Sequence, residues 1–206
     1  MPAVAVLLVI SAVSLGIAPL LMPPTYSWIA NGTSESAAQG VMHAWVARLG
    51  FLAFGLGVCW LAGALKRVWA RAALWLHAAF GVLMIATAAF SHRPWAPDVQ
   101  FDPVEDTLHS FTATAMGFAF SFGVLARLMQ RGRVGESGRV FDGVTLVAAT
   151  VIPLVMASFE GLDGVIQRLM FLVAYFWYAR ETLLLRQLGR EAPNNTSQPT
   201  PASGRG

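Results

Sequence analysis

Six apolar blocks, each close to the length that crosses a bilayer, constrain this chain before anything else does. They cover roughly residues 3–22, 43–65, 72–90, 103–129, 143–159 and 164–185. A helix needs about 20 apolar residues to traverse the ~30 Å hydrocarbon layer, where only helices and closed barrels satisfy their own backbones. The composition agrees. Of the 206 residues, 56% are hydrophobic and 12% charged, against about 25% charged in soluble domains. The expected fold class is all-α: an integral membrane bundle of six transmembrane helices. Its implied partner is the lipid bilayer.

The first block carries no Lys or Arg before it and runs longer than a usual signal core, so it reads as a helix rather than a cleaved signal. Pro23-Pro24 ends it. Tyr26 and Trp28 suit an interface, and Ser36 with Gln39 three residues on fits a capping box for the second helix. Asp102-Pro103-Val104-Glu105 is a strong start for the fourth, with Asp102 as cap and Pro103 in the first helical position. Small residues recur in that helix every four positions (Ala113, Gly117, Ser121 and Ala115, Ala119, Gly123), which predicts a central place in the bundle. The expected domain is 1–190, followed by a disordered cytoplasmic tail, 191–206, rich in Pro, Ser and Thr. Neither an internal repeat nor a disulfide framework is visible; Cys59 is the single cysteine.

Charge sets the orientation. The second-to-third and fourth-to-fifth connections hold Lys66, Arg67, Arg71, Arg127, Arg131, Arg133 and Arg139; the other three hold Arg93 alone. The positive-inside rule then places both termini in the cytoplasm, N-in and C-in. The same asymmetry accounts for the net charge of +3 without invoking nucleic acid.

Seven of the eleven acids fall on the opposite, outer side (Glu35, Asp98, Asp102, Glu105, Asp106, Glu160 and Asp163), with His43, His92 and His109. Arg48 and Arg168 sit one to two turns deeper. A charge at that depth is costly and needs protein or water around it. Arg168 is near Glu160 in sequence, and Arg48 is within reach of Glu35 or Asp106. The candidate polar cluster is therefore Ser34, Glu35, Arg48, Asp106, His109, Glu160 and Arg168. It serves either as an ion-pair network that pins helix ends or as a pocket that opens outward.

Asp106 and His109 lie three apart on one helix face, where a carboxylate can orient an imidazole; they are the candidate catalytic pair. Zinc would need further ligands converging from other helices, and no metal site is expected. Ser34 lacks the glycine pattern of a nucleophile elbow. His77 reads as a buried, hydrogen-bonded histidine, and Tyr175, Trp177, Tyr178, Arg180 and Glu181 as interface anchors. No phosphate loop, dinucleotide fingerprint, HExxH or CxxC occurs, and no cofactor or oligomeric state is implied.

The Thr33-Ser34-Glu35-Ser36-Ala37 segment and the acidic stretch Phe101–Asp106 leading to His109 resemble the motifs of a bacterial and archaeal six-helix membrane family catalogued as domain of unknown function 998. The likeness covers about residues 5 to 185, although the family motif tends to carry leucine at the position of Ser36. It implies a topology and a shared outer polar site in a bacterial inner membrane, and it implies no reaction. The leading functional reading is a membrane protein whose outer cluster binds something small and polar. The alternatives are a membrane-embedded hydrolase or lipid-modifying enzyme using Asp106 and His109, or a small-solute transporter. The nearly apolar middle turns of the helices count against transport.

Overall fold

The computed structural model describes residues 2–96, 98–134, 138–156, 158–159 and 161–191. Glu160 and the tail from residue 192 lie outside them. The described residues form six helices: α1 (Pro2–Ile17), α2 (Ala44–Ala64), α3 (Arg71–Ala89), α4 (Pro103–Val134), α5 (Arg139–Met156) and α6 (Asp163–Glu191). No strand occurs among them. Five are long and apolar enough to cross a membrane. The exception is α6, at 29 residues. Its length suffices, but Arg168, Arg180 and Glu181 interrupt the apolar run.

Successive helices pack side by side from α1 to α6, and α6 returns to touch α1 and α2. The centre is α2, 61% of whose crossing window is buried, against 33% for α4. Phe51, Phe54, Val58 and Leu61 of α2 meet Phe80 and Met84 of α3, Phe120 and Val124 of α4, and Trp177 and Tyr178 of α6 in one core.

The central helix is thus not the one the small-residue stripes predict. Gly117 has open space where a Cβ would stand, and Ala113 and Ser121 are half-buried. The second stripe does work in part: a Cβ on Gly123 would fall 2.7 Å from the His77 ring. The close approaches belong to α2. A Cβ on Gly55 would meet the Gly81 carbonyl oxygen at 2.6 Å, and one on Gly50 would meet Leu15 at 2.6 Å. Without lipid–lipid penalties to drive helices together, such close backbone packing supplies the attraction.

Helix ends follow local chemistry in one case and tertiary contacts in another. Asp102 Oδ1 accepts from the Val104 amide at 2.8 Å and the Glu105 amide at 3.4 Å, the cap that the sequence predicts. The capping box ahead of α2 does not form. Ser36 Oγ donates to the Thr33 carbonyl at 2.6 Å, Gln39 reaches away to the α3–α4 connection, and α2 opens after His43, which takes a left-handed φ of 63°. Ser36 belongs instead to a short 3-10 turn, Glu35–Ala37.

Two substitutions separate tight from open helix surface. Gly55→Ala should cost about 1–3 kcal/mol, because a methyl must displace backbone. Gly63→Ala, where nothing lies within 4 Å, should be neutral or stabilising. Thermal unfolding of the two variants in detergent reads the difference; equal behaviour contradicts the α2–α3 packing.

Candidate functional site

Polar side chains gather at the two ends of the bundle. The end that loop charge predicts to be outer is built from two connections laid over the helices: residues 22–43 between α1 and α2, and 90–102 between α3 and α4.

The first connection is folded around Glu35. Its Oε2 accepts from the Gly32 amide at 2.5 Å and its Oε1 from Asn31 Nδ2 at 3.2 Å. The Ser34 amide donates to Gln167 Oε1 at 3.1 Å, which fastens this loop to α6. Arg168, one residue on, donates to the Trp28 and Asn31 carbonyls at 2.8 and 3.1 Å and to the Tyr26 hydroxyl at 2.8 Å. Its guanidinium stacks 4.9 Å from the Trp28 ring. Burial pushes the Tyr26 phenol above its ordinary pKa, and the neighbouring Arg168 cation pulls part of that rise back. Tyr26 in turn donates to the Gly32 carbonyl at 2.9 Å.

The second connection is a strap clamped by α4. Glu105 Oε1 accepts from the Ser91 amide at 2.7 Å, and Asp106 Oδ1 from the Arg93 amide at 2.8 Å. Gln39 joins the two connections. Its amide donates to the His92 carbonyl at 2.9 Å, its Nε2 donates to the Ser91 and Asp102 carbonyls at 3.0 Å each, and its Oε1 accepts from the Asp102 amide at 2.7 Å.

The predicted cluster therefore divides. Ser34, Glu35 and Arg168 share one neighbourhood, and Asp106 and His109 share another. Arg48 meets neither Glu35 nor Asp106; it donates to the Ala37 and Ala38 carbonyls at 3.1 and 3.3 Å, closing the 3-10 turn. Arg168 likewise engages carbonyls, and Glu160 lies outside the described residues. Asp106 and His109 do not bond each other. The buried His109 ring sets Nδ1 2.8 Å from the Phe90 carbonyl, while its Nε2 has no partner. His92 stands between them, with Nε2 3.9 Å from Asp106 Oδ1 and its ring 5.3 Å from that of His109. Among the described residues, no three His, Cys, Asp or Glu side chains are grouped to hold a metal ion.

Between the two connections and the outer ends of α5 and α6 lies a cleft of ≈ 670 Å³. Ser34, Glu35, His92, Trp95, Asp163 and Gln167 contribute to its walls. The lining does not include Asp106 or His109. The cleft is chemically mixed: carboxylates, an imidazole and an amide face it beside Trp95, whose ring packs edge-on against Tyr26 at 5.1 Å.

The inner end holds the centre that sequence reading misses. Arg127 and Arg131 are not loop charges: both lie inside α4 and are buried, as are Asp142 of α5 and Glu181 of α6. Arg131 Nη1 reaches Asp142 Oδ2 at 2.5 Å while its Nη2 bonds Glu181, and Arg127 Nε stands 3.4 Å from Glu181 Oε2. Two indoles complete the carboxylates, Trp69 donating to Glu181 and Trp177 to Asp142, both at 3.0 Å. The predicted interface anchors Trp177, Tyr178 and Glu181 are thus core residues. Arg180, 31% exposed, remains at the edge, 3.6 Å from each acid. His77 is buried as expected, stacked on Trp177 at 4.4 Å with Nδ1 2.9 Å from the Tyr178 hydroxyl. The available signal was spacing: Arg127 and Arg131 stand four apart on one helical face, as do Trp177 and Glu181.

Fold and sites together define a helical membrane bundle with a hydrogen-bonded cap at one end and a buried ion network at the other. The chain belongs to the family described as protein of unknown function (DUF998), whose model matches residues 3–180. No curated protein and no solved structure matches it.

Each centre makes a prediction. Arg131→Leu removes the cation shared by two buried carboxylates and should cost about 3–5 kcal/mol in thermal unfolding. Glu105→Ala removes the acceptor of the Ser91 amide. Hydrogen exchange at Ser91 should rise roughly tenfold or more, while the Val165 amide, bonded to the Ile29 carbonyl, should keep its protection. Equal change at both amides argues against the strap as a separate unit.

Proposed function

We propose that the protein crosses the membrane six times with both termini cytoplasmic, and that its outer cleft binds a small polar ligand. The cleft is the observation that carries this reading. It opens between segments already held rigid by Gln39, Glu35 and Arg168, so a ligand would meet preformed walls and little ordering cost. Its mixture of charged, amide and indole groups suits a solute with both polar and apolar parts. The placement of Asp106 and His109 outside its lining favours binding over catalysis by that pair.

The orientation is supported by the loop charges that remain once the buried Arg127 and Arg131 are set aside. Lys66, Arg67, Arg71, Arg133 and Arg139 are exposed at one end; Arg93 is the exposed loop cation at the other. Arg48 and Arg168 near that end are occupied by carbonyls. The positive-inside bias puts the cleft outside. By the family likeness already noted, the membrane is a bacterial inner membrane, with residues 192–206, beyond α6, as a cytoplasmic tail.

Topology is read by cysteines in a Cys59→Ser background. Asp98→Cys should label with an impermeant maleimide from outside and Arg133→Cys should not; the reverse inverts the orientation. Binding is read by saturation-transfer NMR with choline, glycine, glycerol phosphate and glucose, which span cation, zwitterion, anion and neutral polyol. At least one should bind the wild type and lose binding in Ala96→Trp, which plugs the cleft wall. Silence from all four, or binding indifferent to the plug, rejects the cleft as the site.

A further inference from the structure

From the inner rim, and independently of the outer cleft, we infer that the α2–α3 turn and the adjoining end of α4 form a docking site for the headgroup of an anionic phospholipid.

Depth is the first argument. Trp60 of α2 and Trp75 of α3 are 56% and 71% exposed. Each sits one turn from the end of its helix, Trp60 before Ala64 and Trp75 after Arg71. Exposed tryptophans at helix ends sit where hydrocarbon gives way to headgroups. The turn between them, with Lys66, Arg67 and Arg71, is then at phosphate level. The helices behind it run on: Gln130 and Glu181 contact the turn, and α4 and α6 continue to Val134 and Glu191, about 6 and 15 Å further at 1.5 Å per residue. The turn is a ledge against a wall.

Charge is the second. Lys66, Arg67, Arg71, Arg133 and Arg139 are all exposed, and no carboxylate pairs with any of them among the described residues. Asp142 and Glu181, the acids at this end whose side chains are described, are buried and already hold Arg131. The rim thus presents these cations outward while those two carboxylates point inward.

Rigidity is the third. Gln130 of α4 locks the turn in place, its Nε2 donating to the Val68 carbonyl at 2.7 Å and its Oε1 accepting from the Ala70 amide at 2.9 Å. Arg127 Nη1 holds the same Oε1 at 2.9 Å. Between the ledge cations, Trp69 turns inward onto Glu181, anchoring the backbone that carries them. Arg139 folds toward α4, its guanidinium 3.5 Å from where a Gly132 Cβ would stand. A phosphodiester at this depth meets several cations carried on a fixed backbone, each adding to its attraction near a membrane surface, while its acyl chains continue along the apolar faces of α2 and α3.

The experiment is native mass spectrometry of the full chain in detergent, titrated with phosphatidylglycerol and with phosphatidylcholine of the same acyl chains. The wild type should retain phosphatidylglycerol at least tenfold more tightly. Lys66→Gln, Arg67→Gln and Arg71→Gln combined should abolish the preference; Arg93→Gln, at the opposite end, should not. These side chains are exposed, and the unfolding temperature of the triple variant checks that it folds; should it fail, the single Arg67→Gln variant carries the test. Equal retention of both lipids by the wild type overturns the inference, as does a preference that survives the ledge substitutions. Inorganic phosphate and glycerol phosphate form the third arm. If either displaces phosphatidylglycerol at equal concentration, the site is for a soluble phosphate and the lipid assignment fails.

Discussion

A charge buried among apolar helices must find its counter-charge and its hydrogen bonds inside the protein. The Arg131 guanidinium, held between Asp142 and Glu181, is where this chain meets that demand most fully. Three helices converge there, and the two indoles of Trp69 and Trp177 bring in the α2–α3 turn and the preceding turn of α6. α5 depends on it most. Little of its length is buried, and its buried residues are Asp142 and Thr145. Its attachment therefore rests on an ion pair near its first turn more than on apolar packing. In the membrane, where lipid tails compete equally for every leucine, such a tie is the more specific kind of contact.

The outer end solves a different problem with different means. Its charges are mostly spent on backbone: Glu35 on the Gly32 amide and the Asn31 side chain, Arg48 and Arg168 on carbonyls, Glu105 and Asp106 on strap amides. Long connections carry many unpaired backbone groups, and a cap that touches the bilayer cannot leave them all to water. The side chains act as substitutes for regular secondary structure. Between the two connections lies the cleft, and Glu35, Gln167 and His92 line it while also bonding backbone. Binding at one end and anchoring at the other are thus compatible roles for one rigid bundle.

Much of the fold was legible because a bilayer imposes a length. Each apolar block became a helix that starts within about a turn of where it was expected, and Asp102 caps α4 as its type and position require; α1 stops earlier than its block, and α4 and α6 run beyond theirs. The site was legible only in part. Carboxylates at a helix start could be assigned to the outer end from charge alone, but not to their partners. Arg48 and Arg168 looked like halves of ion pairs because acids were abundant nearby; carbonyls of the folded loops were nearer. Ser36 and Gln39 had the spacing of a capping box, yet Gln39 serves the neighbouring strap and the helix opens at His43 instead.

From its sequence alone, the chain determined that it is all helical, that it is a membrane protein, where its helices start to within about a turn, and which end carries the exposed cations. These follow from local apolarity, helix-capping chemistry and the distribution of Lys and Arg, none of which needs a distant partner. Tertiary structure alone decided that α2 rather than α4 is central, that Arg127 and Arg131 are core residues rather than loop charges, and that Asp106 and His109 stand apart from the cleft. Each of those depends on which faces meet across the bundle. A glycine or an arginine carries the same local signal whether it faces lipid, solvent or another helix.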